Sequence, residues 1–130
     1  MSQSNPDSPG PDASSQPPID QQVSELEKLL AHMWMVRAFL KHCDEAEDDE
    51  DICDIQRDLY DYIHAVGIHV EQGNPAEALR FAKKKLRRLR EATNLFDEIQ
   101  EEVSTHTNFR MARRSLLAVL ESVEELLSKK

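Results

Sequence analysis

A chain of 130 residues with three glycines, a 5% aromatic share and a net charge of −9 has room for one domain and too little glycine for phosphate-cradling loops or nucleophile elbows. Its composition, 39% hydrophobic and 32% charged and rich in Leu, Ala, Glu, Lys and Arg, reads as all-α. No stretch approaches the ~18 apolar residues of a membrane span. The start of the chain carries no charged-then-apolar leader, so the expectation is a cytoplasmic protein, away from membranes, with Cys43 and Cys53 reduced.

Residues 1–19 open with MSQSNPDSPGPDASSQPP, a Pro/Ser-rich tail with too little apolar surface to offset its ordering entropy, and are expected to be disordered. Residues 20–130 carry helical periodicity. The first helix is predicted from Asp20 to Glu45, capped by Asp20 or by Ser24 with Glu27. Val23, Leu26, Leu30, Met33, Arg37 and Leu40 form one heptad line, and Leu29, His32, Val36, Phe39 and Cys43 form a second. LLAHMWMVRAFL is thus apolar nearly all round, as in a helix covered on several sides or shared with a second copy.

Seven acids fill the eight positions from Asp44 to Asp51. The later ones favour the start of a second helix through its dipole. That helix is predicted from Asp51 to Gln72, with Ile52, Ile55, Leu59, Tyr62 and Val66 inward, and Gly67 suggests a close crossing. QGNPAE marks the clearest boundary: Gly73 suits the position past a helix end, Asn74 an N-cap and Pro75 the first helical residue. A third helix follows from Pro75 to Ser104, and THTN separates it from a fourth, Asn108 to Leu127. Four amphipathic helices on short turns predict an antiparallel up-down four-helix bundle.

KKKLRRLR, residues 83–90, places six basic side chains in eight positions. Charge is split along the chain, with −12 over residues 1–73 and +3 over 74–130. If helices three and four form a hairpin turning near His106, positions whose numbers add to about 212 share a level. Arg87, Arg88 and Glu91 then face the level of Glu125, Glu124 and Glu121, and Glu98 and Glu102 that of Arg114 and Arg110. Asp58 and Asp61 of helix two also reach the basic run. The pattern is an ionic ladder; it has no interleaved aromatics to stack on bases, which argues against nucleic acid as a partner. Lys83, Lys84 and Lys85 keep the fewest internal partners and are candidates for an external contact.

A metal site is the other candidate. Folding helix one onto helix two about residue 48 brings His32 level with His64 and Cys43 near Cys53, four ligands suited to zinc. His32 with Trp34 resembles part of the chemoreceptor zinc-binding domains, whose Cys-x-Leu/Phe-Gly-x-Trp element is absent because DIQRD follows Cys53. Di-iron bundles need paired E-x-x-H motifs, against one loose relative here, Asp61 with His64. Glu50, Asp51 and Asp54 resemble the first magnesium-binding element of the MazG-type pyrophosphatases; the second is missing, since Asn74 stands three residues after Glu71. No catalytic constellation or cofactor motif stands out. The expected function is a non-catalytic interaction or assembly module, with a protein partner or a second copy docking on Met33, Trp34 and Phe39. The alternative is a zinc-binding sensor or regulator.

Overall fold

The computed structural model describes residues 18–128. The expected disordered tail therefore lies outside the described residues except for its last two positions, and Ile19 already opens a helix. Among the described residues there are five α-helices, one short 3-10 turn and no strand: α1 Ile19–His42, the turn Asp44–Glu47, α2 Glu50–Glu71, α3 Pro75–Lys84, α4 Leu86–Val103 and α5 Thr107–Ser128. α1 packs on α2 and α5, α2 packs on α3 and α4, and α4 packs on α5. No described helix is long and apolar enough to cross a membrane.

The boundaries follow local chemistry. Neither Asp20 nor Ser24 caps α1; the chain enters through Pro18, and Gln22 N–H donates to the Pro18 carbonyl at 3.0 Å. α1 also stops at His42, short of Glu45, because Ala46 folds into the core through the 3-10 turn. Asp49 then caps α2, accepting from Ile52 N–H at 3.0 Å. At the far end of α2, Asn74 N–H donates to the His69 carbonyl and Gly73 N–H to that of Val70, with Gly73 at φ +70°. This pair of bonds closes a Schellman motif, for which a glycine supplies the left-handed residue. Asn74 turns directly into the N-cap of α3. His106 opens α5 in the same manner, its Nδ1 accepting from Asn108 N–H at 3.0 Å.

The heptad lines bury as their spacing demands. Val23, Leu26, Leu30, Met33 and Leu40 of α1 meet Ile52, Ile55, Leu59, Tyr62 and Val66 of α2, with Leu89 and Phe96 of α4 and Phe109, Leu116 and Val123 of α5 completing one core. Phe39, on the other flank of α1, meets Phe109 edge to face at 5.0 Å.

The third helix is the departure. It is two helices, α3 and α4, parted at Lys85. The buried Tyr62 hydroxyl donates to the Ala82 carbonyl at 2.9 Å, the acceptor that the Leu86 N–H needs in an unbroken helix. A side chain inserted into the hydrogen-bond ladder bends a helix at that point. Lys85 N–H still reaches Phe81, and the Lys85 carbonyl restarts the ladder by accepting from Arg88 and Leu89. Burial also pushes the Tyr62 phenol well above its ordinary range, so it remains a donor through neutral pH.

Two predictions follow from these positions. In Tyr62→Phe the Ala82 carbonyl is freed; stability should fall by about 1–2 kcal/mol, and amide exchange at Leu86 should slow as its N–H recovers an acceptor. Unchanged exchange at Leu86 would show that the break has another cause. Gly67 was expected to admit a close crossing, yet an added Cβ meets nothing within 4 Å. Gly67→Ala should therefore stabilise by up to ~1 kcal/mol, whereas Gly73→Ala, at positive φ, should destabilise by about 1–2 kcal/mol. Chemical denaturation of both variants checks the contrast.

Candidate functional site

Two surfaces remain once the core is accounted for. The first runs along α1 beside α2. Trp34 is 40% exposed, Met35 67% and Tyr60 40%. Ala31 is exposed and Ala38 half-buried, so Ala31, Trp34, Met35 and Ala38 recur at the i, i+3, i+4, i+7 spacing of one helix face. Trp34 and Tyr60 stand with ring centroids 6.1 Å apart, and Tyr60 stacks on His64 at 6.0 Å. The Arg37 guanidinium lies 4.6 Å from the Trp34 centroid and 4.8 Å from that of Tyr60, and its Nε donates to Gln56 Oε1 at 3.3 Å. A guanidinium shared between two rings and an amide holds the aromatic side chains in one arrangement before any partner arrives.

Met33 is corrected here. It is 0% exposed and belongs to the core, one turn from Leu30 and Val36, so it presents nothing to a partner. Phe39 is half-buried against Phe109. Of the three expected docking residues only Trp34 faces out, and Met35, Tyr60 and Arg37 are its unforeseen neighbours. The i, i+3, i+4, i+7 recurrence of Ala31 through Ala38 was the available signal, masked by the stronger core line on the same helix.

The second surface is the basic run. Lys84, Lys85, Arg87, Arg88 and Glu91 line an open cleft of about 400 Å³, and Lys85 and Arg88 also border a smaller one of about 230 Å³ with Asp61 and Tyr62. The arginines are engaged. Arg90 Nε meets Glu124 Oε2 at 2.7 Å and Arg113 meets Asp97 at 2.8 Å, joining α4 to α5. Arg88 crosses to Asp58 on α2 at 3.3 Å. Arg87 turns to Glu91 on its own helix at 3.2 Å. Both α4–α5 pairs lie within two residues of the expected register and run oppositely along the two helices, so the level was right and the individual partners differ. Lys83, Lys84 and Lys85 are exposed, with Lys84 Nζ 5.2 Å from the Phe81 ring, whose face His69 stacks on at 4.6 Å.

The expected zinc ligands are distributed otherwise. His32 is exposed on α1, and His64 is exposed on α2 within the aromatic patch. Cys43 Sγ donates to the Leu40 carbonyl at 3.2 Å and Cys53 Sγ to that of Ala46 at 3.0 Å, so each thiol is turned to backbone beside the 3-10 turn. Burial pushes the Cys43 thiol up, opposing the thiolate that a metal ion takes. Among the described residues no three His, Cys, Asp or Glu side chains are grouped so as to hold a metal ion.

The ladder generates a direct test. A double-mutant cycle on Arg90→Ala and Glu124→Ala should give a coupling of about 0.2–1 kcal/mol that shrinks in high salt, while the Arg87→Ala and Glu124→Ala cycle should give none. Equal coupling in the two cycles would contradict the pairing. In comparison with known proteins no family model matches the chain, no curated protein matches it, and no solved structure matches it.

Proposed function

We propose that this chain is a non-catalytic interaction or assembly module, an antiparallel up-down four-helix bundle whose third arm is bent at Lys85, and that it docks a protein partner on the outward face of α1. One observation carries the reading. α1 has already given one side to the core, through Leu26, Leu30, Met33 and Leu40, and still turns Trp34 and Met35 to solvent beside Tyr60. A tryptophan and a methionine adjoining on one helix face and part-exposed there are side chains of the kind that anchor protein interfaces. Arg37, bracketed by the Trp34 and Tyr60 rings, adds a residue type that interfaces favour.

The distribution of charge supports the same reading. Arg87, Arg88 and Arg90 are matched by carboxylates of the chain itself, which lowers the attraction of the run for a polyanion. Lys83, Lys84 and Lys85 then form a basic border rather than a nucleic-acid groove.

The experiment separates a face kept for docking from one needed for folding, and a metal-free module from a metal-held one. Met33→Ala should cost about 2–5 kcal/mol of stability, and Met35→Lys should change it by less than about 0.5 kcal/mol. The thermal transition of the full chain should be the same with chelator as with added zinc. A transition that falls with chelator would replace the module by the zinc-binding regulator, and a Met35→Lys chain as unstable as Met33→Ala would show that the face serves the fold.

A further inference from the structure

Within the outward face of α1 the chain leaves one cation without a counter-charge. We propose that this face takes a segment of another protein carrying a single carboxylate between apolar side chains, with that carboxylate set on the Arg37 guanidinium. The proposal rests on the docking role given to α1 above and names the chemistry of its partner. Arg37 and Arg113 are the half-buried arginines among the described residues. Arg113 meets Asp97 at 2.8 Å. Arg37 meets no carboxylate of the described residues, and the acceptor it finds is the Gln56 amide, reached from Nε at 3.3 Å. The Trp34 and Tyr60 rings, with centroids 4.6 and 4.8 Å away, steady the guanidinium but supply no oxygen to its N–H groups. Its Nη donors are therefore unused. They also reach solvent, since His69 Nδ1 is the only buried side-chain nitrogen or oxygen without a partner among the described residues.

A partner that covers Trp34, Met35 and Tyr60 takes water away from the Arg37 Nη groups. The guanidinium stays charged at any ordinary pH, and a charge stripped of water without an acceptor opposes binding strongly. A wholly apolar partner is disfavoured for that reason. A carboxylate supplies both the opposite charge and two oxygens spaced for a guanidinium edge. The surroundings have the matching sign. From Lys28 to His42, α1 holds basic residues and no acid, in a chain with 25 acids. On the α2 side the patch is bordered by Gln56, Tyr60 and His64, again without an acid. The net charge of −9 repels a run of acids at long range. The partner that fits thus presents one carboxylate among apolar residues rather than an acidic tract. Arg37 is already held by Gln56 and two rings, so little side-chain entropy is lost on pairing.

The test titrates the full chain with blocked peptides of the sequence Ser-Leu-Leu-X-Leu-Leu-Ser, in which X is Glu, Gln or Lys. Fluorescence of Trp34, the single tryptophan of the chain, reads binding, and the Arg37 Nε–H resonance locates it. The expected result is that the Glu peptide binds roughly tenfold more tightly than the Gln peptide and shifts the Arg37 resonance, with the Lys peptide weakest. Gln56→Glu gives Arg37 a carboxylate of its own while leaving both rings in place. It should remove the preference for the Glu peptide without loss of thermal stability, and Arg37→Gln should remove it too. Equal binding of the Glu and Gln peptides overturns the carboxylate while leaving α1 as a docking face. Tightest binding by the Lys peptide overturns it as well, because the rings then take a cation from outside. A Glu preference that survives Gln56→Glu sets the carboxylate elsewhere, and no response to any of the peptides overturns the proposal outright. The docking role itself fails by a different signal, the instability of Met35→Lys or a response to chelator.

Discussion

The Tyr62 hydroxyl is buried in an apolar core, and the Ala82 carbonyl is the acceptor it finds there. A phenol in that position must be satisfied, and satisfying it takes a carbonyl out of the ladder of the neighbouring helix. Everything on the α3–α4 side of the molecule follows from that exchange. The helix stops at Lys84 and restarts at Leu86, α4 runs on against both α2 and α5, and four basic side chains border one open cleft. The same bond ties α3 to α2, so the bend is held by the core and not by the surface charges around it.

The ionic ladder was legible only to the level of register. Helix rise and the position of the turn at His106 set which residues of α4 and α5 share a height, and both quantities are readable from spacing. Which of those residues point at each other depends on rotation about the helix axis. Arg90 takes Glu124, and Arg87 pairs with Glu91, four residues along its own helix. Nothing in the periodicity of KKKLRRLR announces the break, since its cause is a tyrosine more than twenty residues upstream.

The candidate site divides in the same way. Heptad spacing identified the inward residues of α1, α2 and α5 with few exceptions, because one face of each helix has to be covered and the spacing says which. Met33 obeyed that rule and went inside, and so was lost as a surface residue. His32 and His64 show the opposite failure. They share a level, but Tyr60 and Trp34 draw His64 into an aromatic row on one flank of α1, while His32 belongs to the line of Val36 and Phe39 on the other flank. Height alone cannot assemble a ligand set; the faces must agree as well. Cys43 and Cys53 do meet near one turn, yet each thiol is drawn to a carbonyl of the backbone it borders.

α1 reconciles two demands that usually fall on separate helices. Its inner line holds the core together, and its outer line, offset by one residue from Met33 to Trp34 and by two to Met35, is as apolar as a second seam. An apolar patch on the outward face of a core helix is a liability in an isolated domain, because an uncovered face invites indiscriminate association. Three features restrain it here. The outward apolar patch spans only two turns, closed off by Glu27 and Lys28 before it and by Lys41 and His42 after it. Arg37 lies across the Trp34 and Tyr60 rings and covers part of their faces with a charge. The net charge of −9 sets copies to repel one another at long range. Indiscriminate association is thus opposed by charge as well as by the small extent of the patch.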